Sequence, residues 1–541
     1  MNKYINSKIE TLTSDQKSLF NQMQNNNLLQ ICIPTGAGKG YLMIVDLLNQ
    51  VVSKKSKTYV ISSHRLMLNT QHLNDIFDTM SPIIGDIGFI FVGSSKYDTS
   101  KFQNNTYFNT QLLKKGISYN EIVSSTNRKN EIEEIVKNHH NAGRKVIILT
   151  TYHSLHTLKG LEIDTIYNDE AHTLASESET AQFRDNFNTI NYKRCFFLTA
   201  TPKDCVEDTE TFLMNNEEAF GKRIGLNFRQ CVENGYIVKP VIHIAMPEEY
   251  NNSYELKSIS NMAKFVMDTY EAHSKFIKEN SFDSNKIEPK ILVKCPSVDE
   301  MWLLHKELIG KISGVKICAG ASRNELSTFY HFIDEEGIVG RSEYLERIQN
   351  FEDDDKAIVL HYDTMSEGIN VAGFTGVEFL GGKLPTITKT LQNTGRSTRL
   401  HKEDRDKFRK GEISVGDGNW IKPYCAVIIP YWDKESEFTT RELARQIREL
   451  RDNFSYDPIF YVSIGNDLGK GKKPEDSEAL NKVEEKTKKV QLIENILNEI
   501  EVMDQEALDL KEQERLNSLS KLDLLKMELT DQWFEKSNKT K

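Results

Sequence analysis

The sequence lacks the features that would place it in a membrane, outside the cell or around a structural metal. Its longest apolar runs, such as Lys145–Leu149 and Cys425–Tyr431, are far shorter than the roughly 20 residues that a membrane-spanning helix needs. No apolar signal region follows the first residues, so export is not expected. Seven cysteines are scattered without a C-x-x-C pair, which gives a zinc ribbon or an iron–sulfur cluster no support. We therefore expect a cytoplasmic protein with reduced thiols.

An excess of positive charge is also missing. The 541 residues include 69 Lys and Arg against 79 Asp and Glu, so the net charge is −10. This balance argues against a surface coated in basic charge, although a local basic groove on an acidic body can still bind nucleic acid. The hydrophobic content of 38% is enough for large packed cores and excludes wholesale disorder.

Short apolar strands alternate with helical stretches in two blocks, which is typical of an α/β protein with parallel sheets. We predict a first domain over residues 1–240, with a polar, loop-like insert that contains helical fragments around 92–141, and a second domain over 241–455. Residues 456–541 are predicted to form a helical tail. The tail could bind a partner protein, form a coiled coil, or pack as a solvated helix on its own domain.

A glycine-rich turn follows the first predicted strand, Leu28–Ile33. Glycines let backbone N–H groups curl around a phosphate at the start of a helix, and a following lysine can reach the β- and γ-phosphates of a nucleotide. The turn consists of Pro34, Thr35, Gly36, Ala37, Gly38, Lys39 and Gly40. A flexible loop with a stray lysine has the same composition, so the turn alone leaves both interpretations open.

Two carboxylates, Asp169 and Glu170, stand at the end of a later predicted strand and are followed by Ala171 and His172. The first carboxylate can hold magnesium, directly or through water, and the second can orient and deprotonate an attacking water. A further strand ends in Thr199-Ala200-Thr201, whose hydroxyl groups can link this edge to a neighbouring domain.

The second block contains a pair of arginines, Arg396 and Arg399, at positions i and i+3 of a predicted helix. Two guanidinium groups on one helical face could stabilise the charge on a transferring phosphoryl group from across a cleft. A surface salt-bridge set would have the same spacing, and for the pair taken alone it is the favoured interpretation.

In this order, the segments resemble the motifs of superfamily 2 helicases of the DEAD/DEAH class, in particular phage helicases and the motors of type I and type III restriction enzymes. The resemblance extends from Gln16 to Arg399 and includes a segment around Tyr236 that is similar to the exit from the first motor domain. It implies two RecA-like domains in tandem, with ATP and Mg2+ in the cleft between them. Closing and reopening of that cleft would drive movement on nucleic acid.

The resemblance also implies roles for individual residues. Those it assigns to catalysis are Lys39, Asp169, Glu170, Gln392, Arg396 and Arg399, with Asp169 as the metal ligand. Those it assigns to the nucleotide are Gln16, which would recognise the adenine, the turn from Pro34 to Gly40, Gly368 and Asn370. Those it assigns to nucleic acid, mostly to phosphates, are Arg65, Thr150 and Ser366.

Three residues depart from the family pattern: Thr13, Asn370 and Gly40. Gly40 matters most, because a Ser or Thr hydroxyl at this position normally binds magnesium. Magnesium readily keeps several waters, so Asp169, phosphate oxygens and water can still hold it. We therefore predict a weakened but working ATPase.

The leading hypothesis is an ATP-dependent DNA helicase or translocase. An RNA helicase is the alternative within the same family, because both grip the phosphate backbone. The Asp169–His172 tetrad and the segment around Tyr236 favour DNA. A non-catalytic, ATP-gated scaffold with its tail docked on a protein is the alternative from another class, and the retained Glu170 and Arg396 argue against it. The many Lys, Asn and Ile residues suggest an AT-rich genome, compatible with a phage or a low-GC bacterium. The expected location is therefore a bacterial cytosol or a phage-infected host cell.

Overall fold

A computed structural model of the chain describes residues 2–53, 57–64, 66–93, 110, 112–175, 181–203, 213–246, 258–321, 332–334, 337–339, 344, 347–348, 351–352, 355–362, 373–380, 393–431, 440–454, 459–464 and 476–518. The α-helices are α1 Asn2–Glu10, α2 Ser14–Asn25, α3 Lys39–Ser53, α4 Leu66–Met80, α5 Tyr119–Ile122, α6 Lys129–Asn141, α7 Ala181–Asn188, α8 Glu217–Phe220, α9 Phe228–Glu233, α10 Ile259–Asn280, α11 Val298–Leu308, α12 Lys402–Arg409, α13 Thr440–Phe454 and α14 Asp476–Ser518. Short 3-10 helices cover Ser81–Asp86, Tyr152–Leu158 and Ala171–Thr173.

The strands fall into two sheets. The strands of the first sheet are β1 Leu28–Cys32, β2 Thr58–Ser63, β3 Ile87–Val92, β4 Val123–Ser125, β5 Lys145–Thr151, β6 Glu162–Asp169, β7 Asn191–Thr199 and β8 Lys222–Gly225. Those of the second are β9 Lys239–Met246, β10 Lys290–Lys294, β11 Lys316–Ala321, β12 Phe332–Asp334, β13 Gly337–Val339, β14 Ala357–Tyr362, β15 Gly376–Phe379, β16 Tyr424–Pro430 and β17 Ile459–Ile464.

The first sheet is parallel throughout, in the order β4-β3-β5-β2-β6-β7-β1-β8. Strand β1 lies between β7 and β8, and β6 lies next to β7, so the carboxyl ends of β1 and β6 are separated by one strand. Because all strands point the same way, the loops that follow them meet at one edge of the sheet. That edge carries the predicted phosphate loop and the predicted carboxylates.

The second sheet has the order β13-β12-β11-β14-β10-β15-β16-β9-β17. Its pairs are parallel from β11 to β17, and the β12–β13 hairpin extends the sheet by antiparallel pairing. Apolar side chains are buried on both faces of each sheet, as covering helices require. The fold predicted from the alternating pattern, two RecA-like α/β domains with a helical C-terminal segment, is confirmed.

Two parts of the predicted organisation differ from the structure. The insert around 92–141 is not simply a loop, because β4 adds an edge strand to the first sheet and α6 packs against β5 and β3. The predicted tail is not helical from its start, because β17 pairs in parallel with β9. The division into three domains at 240 and 455 otherwise stays a prediction.

Helix α14 lies against the second domain. Leu492, Ile496 and Ile500 are buried in its core, and Asp504 accepts hydrogen bonds from Arg448 and Arg451 of α13. The tail is therefore a helix packed on its own domain, which was one of the three alternatives. Binding of a partner protein by the tail stays a prediction. No helix in the described part of the chain is long and apolar enough to span a membrane.

Candidate active site

The glycine-rich turn forms a tight loop between β1 and α3. Gly36 and Gly38 adopt φ angles of 90° and 88°, a left-handed backbone that glycine alone adopts without strain. Helix α3 begins at Lys39, so the N–H groups of its first turn face the loop. The strand–loop–helix arrangement is the one that cradles phosphate groups. Binding of nucleotide by Pro34, Thr35, Ala37 and Gly40 stays a prediction.

Gln16, in the first turn of α2, forms a hydrogen bond with this loop. Its Nε2 donates to the carbonyl oxygen of Ala37 at 3.1 Å, and a Cβ placed on Gly38 would lie 2.4 Å from that nitrogen. Its Oε1 accepts from the backbone N–H of Thr13 at 3.1 Å, within a capping box that starts α2. The amide therefore fixes the phosphate loop, a role the sequence did not indicate, and recognition of adenine by Gln16 stays a prediction.

Asp15 connects the start of α2 with the segment that leads to the second sheet. Its Oδ2 accepts hydrogen bonds from Asn234 Nδ2 at 2.7 Å and from Tyr236 Oη at 2.9 Å. Between them, Gly235 packs against Phe408 of α12, where a Cβ would approach the ring to 2.9 Å. The segment 234–236 at the end of the first domain therefore contacts both α2 and α12.

Lys39, Asp169 and Glu170 form one buried charge cluster. The Lys39 ammonium lies 2.8 Å from Asp169 Oδ1 and 2.9 Å from Glu170 Oε1. Burial disfavours the charge of Lys39, but the two carboxylates outweigh it and raise its pKa above the usual range. Burial likewise disfavours ionised Asp169, yet Lys39 and a hydrogen bond with His72 hold its pKa well below the usual range. Lys39 and Asp169 are therefore both charged near neutral pH.

The backbone at Glu170 places its side chain. Glu170 has a φ of 54° and is the one non-glycine residue with positive φ among the described residues. Such a conformation costs on the order of 1 kcal/mol or more and persists where the surroundings impose it, commonly at functional sites. Here it turns the chain sharply at the end of β6, and Asp169 and Glu170 both lie beside Lys39.

His72 belongs to the same cluster and was missed by the sequence analysis. It lies on α4, is 6% exposed, and its Nε2 is 3.0 Å from Asp169 Oδ2. A Cβ placed on Gly40 would lie 3.9 Å from His72 Cε1, an ordinary van der Waals contact. The sequence signals only a helix over this segment, since no motif spacing connects His72 with Asp169.

Two neighbouring strand ends are joined by hydrogen bonds. His172 Nδ1 and Thr199 Oγ1 are 3.0 Å apart, and Thr199 Oγ1 accepts from the N–H of Thr201 at 3.1 Å. Tyr152 Oη donates to the carbonyl oxygen of Asp169 at 2.6 Å. The turn after β6 is therefore hydrogen-bonded to β7 and to the 3-10 helix after β5.

The second domain reaches the phosphate loop directly. Residues 393–397 form a helical turn, and a Cβ placed on Gly395 would lie only 2.4 Å from Thr35 Cβ. The stem of Arg399 packs over Gly36, where Cγ would be 3.3 Å from a built Cβ. Arg396 is 5% exposed and lines the same cleft. Arg396 lies in this helical turn and Arg399 lies two residues after its end, so the two arginines do not share one helix as predicted. Their catalytic roles stay predictions.

The cleft between the two sheets has a volume of about 1270 Å3 and is lined by residues from both. The predicted site residues that it brings together are Gln16, Thr35, Gly36, Ala37, Gly38, Lys39, Gly40, Asp169, Glu170, Arg396 and Arg399. Burial lowers the pKa of Arg399 to about 10, and the carboxylate of Asp75 opposes that shift. The described residues include no group of three or more His, Cys, Asp or Glu side chains that could hold a metal ion.

Lys422 holds the arginine-bearing segment in place. It is 2% exposed, and its ammonium donates to the carbonyl oxygens of Phe374, Ser397 and Arg399 at 2.6, 2.7 and 2.8 Å. Asp404 in turn accepts from the N–H groups of Lys422 and its predecessor at 2.8 and 2.9 Å. The turn with Arg396 and Arg399 is thus fastened to the second domain by charge-assisted hydrogen bonds.

Of the three predicted contacts with nucleic acid, Thr150 alone lies among the described residues. Thr150 is fully buried at the end of β5, so its side chain does not reach the surface in this conformation, and its contact with a phosphate stays a prediction. Five predicted site residues lie outside the described residues: Arg65, Ser366, Gly368, Asn370 and Gln392.

Comparisons with known proteins agree with this geometry. Residues 3–204 match the family model of the type III restriction enzyme, res subunit. No curated protein sequence gave a significant match. The fold is similar to that of the type ISP restriction-modification enzyme LlaBIII bound to DNA, with a TM-score of 0.55 and 14% identity, over 85% of this chain and 32% of that one. The chain thus spans about a third of the length of that enzyme.

Two further structures align at lower scores. One is Mycobacterium smegmatis helicase Lhr bound to ssDNA and AMP-PNP, with a TM-score of 0.49 and 12% identity over 84% of this chain and 50% of that one. The other is the DEAD-box helicase Mss116 bound to ssRNA and UDP-BeF, with a TM-score of 0.48 and 14% identity over 86% and 76%. The family match over residues 3–204 and the similar fold support a superfamily 2 helicase motor domain in this chain.

Proposed function

We propose that the chain is an ATP-dependent motor that moves on or remodels DNA. The observation that carries this proposal is the composition of the cleft. Lys39, Asp169 and Glu170 come from the first domain and Arg396 and Arg399 from the second, and all five line one cavity. A site completed by both domains makes nucleotide turnover depend on their mutual position, which is what coupling hydrolysis to movement requires.

Each side chain has a defined task in this proposal. Lys39 binds the β- and γ-phosphates, which compete with the two carboxylates for its ammonium. Glu170, held by its left-handed backbone, orients and deprotonates the attacking water. Arg396 and Arg399 stabilise the charge that spreads over the transferring phosphoryl group.

The residues present fit an Mg2+ ion that arrives with ATP. Asp169 is a buried, ionised oxygen ligand next to a glycine cradle, and oxygen donors are what Mg2+ prefers. When bound, the ion would neutralise charge on the β- and γ-phosphates. Because Gly40 supplies no hydroxyl, the chain offers one ligand fewer than the family pattern.

DNA is the proposed substrate, with RNA as the alternative. The match to a restriction-enzyme family model and the similarity to LlaBIII, whose structure contains DNA, support DNA. The sequence features that favoured DNA, the Asp169–His172 tetrad and the Tyr236 segment, point the same way. A non-catalytic scaffold is disfavoured, because it would not need the water-activating Glu170 or the two arginines of the cleft.

The test is ATP hydrolysis with single-stranded DNA, duplex DNA and RNA at saturating Mg2+. We expect DNA to stimulate the wild type most, and Glu170→Gln to lower turnover by about 10²- to 10⁴-fold while retaining ATP binding. Glu162→Gln is the matched control, because this exposed glutamate lies at the other end of the same strand. If RNA stimulates hydrolysis more than DNA, RNA is the substrate instead of DNA. Equal rates in Glu170→Gln and the wild type would refute the role of Glu170 in activating the attacking water.

A further inference from the structure

The phosphate loop lacks a side chain at Gly40, and helix α4 places an imidazole at that point. The Cβ direction of Gly40 leads to His72, whose Cε1 would be 3.9 Å from such a Cβ. His72 is buried, lines the nucleotide cleft and lies 3.0 Å from Asp169 through its Nε2. It therefore occupies the space between the missing side chain and the carboxylate proposed to bind the cation.

The chemistry of the contact fixes its direction. An ionised carboxylate can only accept hydrogen bonds, so His72 donates its Nε2–H to Asp169 Oδ2. The other oxygen, Oδ1, faces the Lys39 ammonium at 2.8 Å. The two oxygens of Asp169 are thus distinguished: one is held by the imidazole and the other is directed into the cleft. This contact stops rotation of the carboxylate about its Cβ–Cγ bond.

We propose that His72 is a positioning residue that compensates for Gly40 by holding Asp169 in the orientation that binds the cation of the nucleotide. The inference rests on the proposed function and extends it to how this site works with one ligand fewer. Mg2+ demands nearly ideal octahedral geometry, so a site with a single protein carboxylate depends strongly on the orientation of that carboxylate. Groups that orient a metal ligand typically contribute 10- to 100-fold to metal affinity.

A purely space-filling role for His72 makes a different prediction. Phenylalanine keeps a planar aromatic ring at this position but has no N–H, whereas glutamine carries a donor at a position equivalent to Nε2. If His72 only fills space, His72→Phe preserves the site. If His72 positions Asp169, His72→Gln preserves the site and His72→Phe does not.

The experiment measures binding of a fluorescent ADP analogue to the full chain, first in excess chelator and then in a titration with Mg2+. We expect His72→Phe and His72→Ala to weaken Mg2+ binding to the nucleotide complex by about tenfold or more. Affinity for the nucleotide without Mg2+ should stay within about twofold of the wild type, and His72→Gln should retain most of the Mg2+ affinity. Thermal melting of each variant confirms that it is folded.

Restoring the hydroxyl tests the compensation directly. The 3.9 Å contact leaves room for a Cβ, so Gly40→Ser in the His72→Ala background should recover Mg2+ affinity. Unchanged Mg2+ affinity in His72→Phe, an equal loss of nucleotide binding without Mg2+, or no recovery on adding Gly40→Ser would each overturn the inference. A wild type that neither binds nucleotide nor hydrolyses ATP would refute the proposed function instead, so the two failures are distinguishable.

Discussion

Adding a single methyl group at Gly395 should separate the two halves of the site. Gly395 lies in the helical turn with Arg396, and no side chain separates its Cα from the phosphate loop. A Cβ on Gly395 would stand 2.4 Å from Thr35 Cβ, 3.0 Å from its Cγ2 and 3.1 Å from its Oγ1. Gly395→Ala therefore perturbs the contact between the domains and leaves the arginines themselves unchanged.

The size of the effect follows from the overlap. Nonbonded carbon atoms prefer separations of about 3.5–4.0 Å, so relief of a 2.4 Å contact requires a displacement of about 1 Å or more. A displacement of about 1 Å at a catalytic group can lower a rate by about 100-fold. Thr35 belongs to the tight phosphate loop, so we expect the second domain to move instead. Gly395→Ala should then lower kcat by about 100-fold and leave nucleotide affinity nearly unchanged.

The assay is steady-state ATP hydrolysis with saturating DNA, combined with binding of a fluorescent nucleotide. Gly418→Ala is the matched control, since a Cβ there meets nothing within 4 Å. Thr35→Gly removes the opposing Cβ, so the double variant Thr35→Gly with Gly395→Ala should be faster than the product of the two single effects. Wild-type turnover in Gly395→Ala would refute the view that this contact positions the arginines.

Two other substitutions test the second domain. Lys422→Met keeps the length of the side chain but removes the ammonium donor from three carbonyl groups, two buried and one partly buried. It should therefore lower kcat at least tenfold and lower the melting temperature, whereas Lys410→Met at an exposed site should do neither. Burial raises the pKa of Glu378 from 4.5 to about 8, although a hydrogen bond from Thr269 opposes this shift. The raised pKa stabilises the folded state fully below pH 4.5, and this stabilisation is lost as the pH rises through 8. Glu378→Gln should therefore have the melting temperature of the wild type near pH 4.5 and a higher one at pH 9, where its gain in free energy of unfolding is at most about 5 kcal/mol. A difference between variant and wild type that does not depend on pH would contradict this linkage.

The sequence predicted the architecture well because the signal is local. A parallel strand buried on both faces appears as a short apolar run, and the runs Leu28–Ile33, Lys145–Leu149 and Cys425–Tyr431 overlap the strands β1, β5 and β16. Polar segments were harder to interpret. The strand Val123–Ser125 is short and rich in serine, and it is recognisable only through its pairing with β3. The strand Ile459–Ile464 joins the sheet beside β9, which lies more than 200 residues earlier in the chain.

The candidate site shows the same division between local and distant information. The loop from Gly36 to Lys39 and the pair Asp169 and Glu170 each have a recognisable spacing, and their placement was predicted. His72 and Lys422 act through contacts with residues far away in the sequence, and nothing in their own segments reveals this. Only the fold shows that they hold the machinery that the motifs supply.

The central claim is that ATP turnover in this chain requires an arginine from the second domain at a site built on the first. The most direct measurement is DNA-stimulated ATP hydrolysis by Arg396→Ala, with ATP binding measured alongside. Arg441→Ala, at an exposed arginine of the same domain, is the control. The account predicts a loss of about 10³-fold or more in kcat with ATP binding retained. Turnover equal to that of the wild type would contradict it.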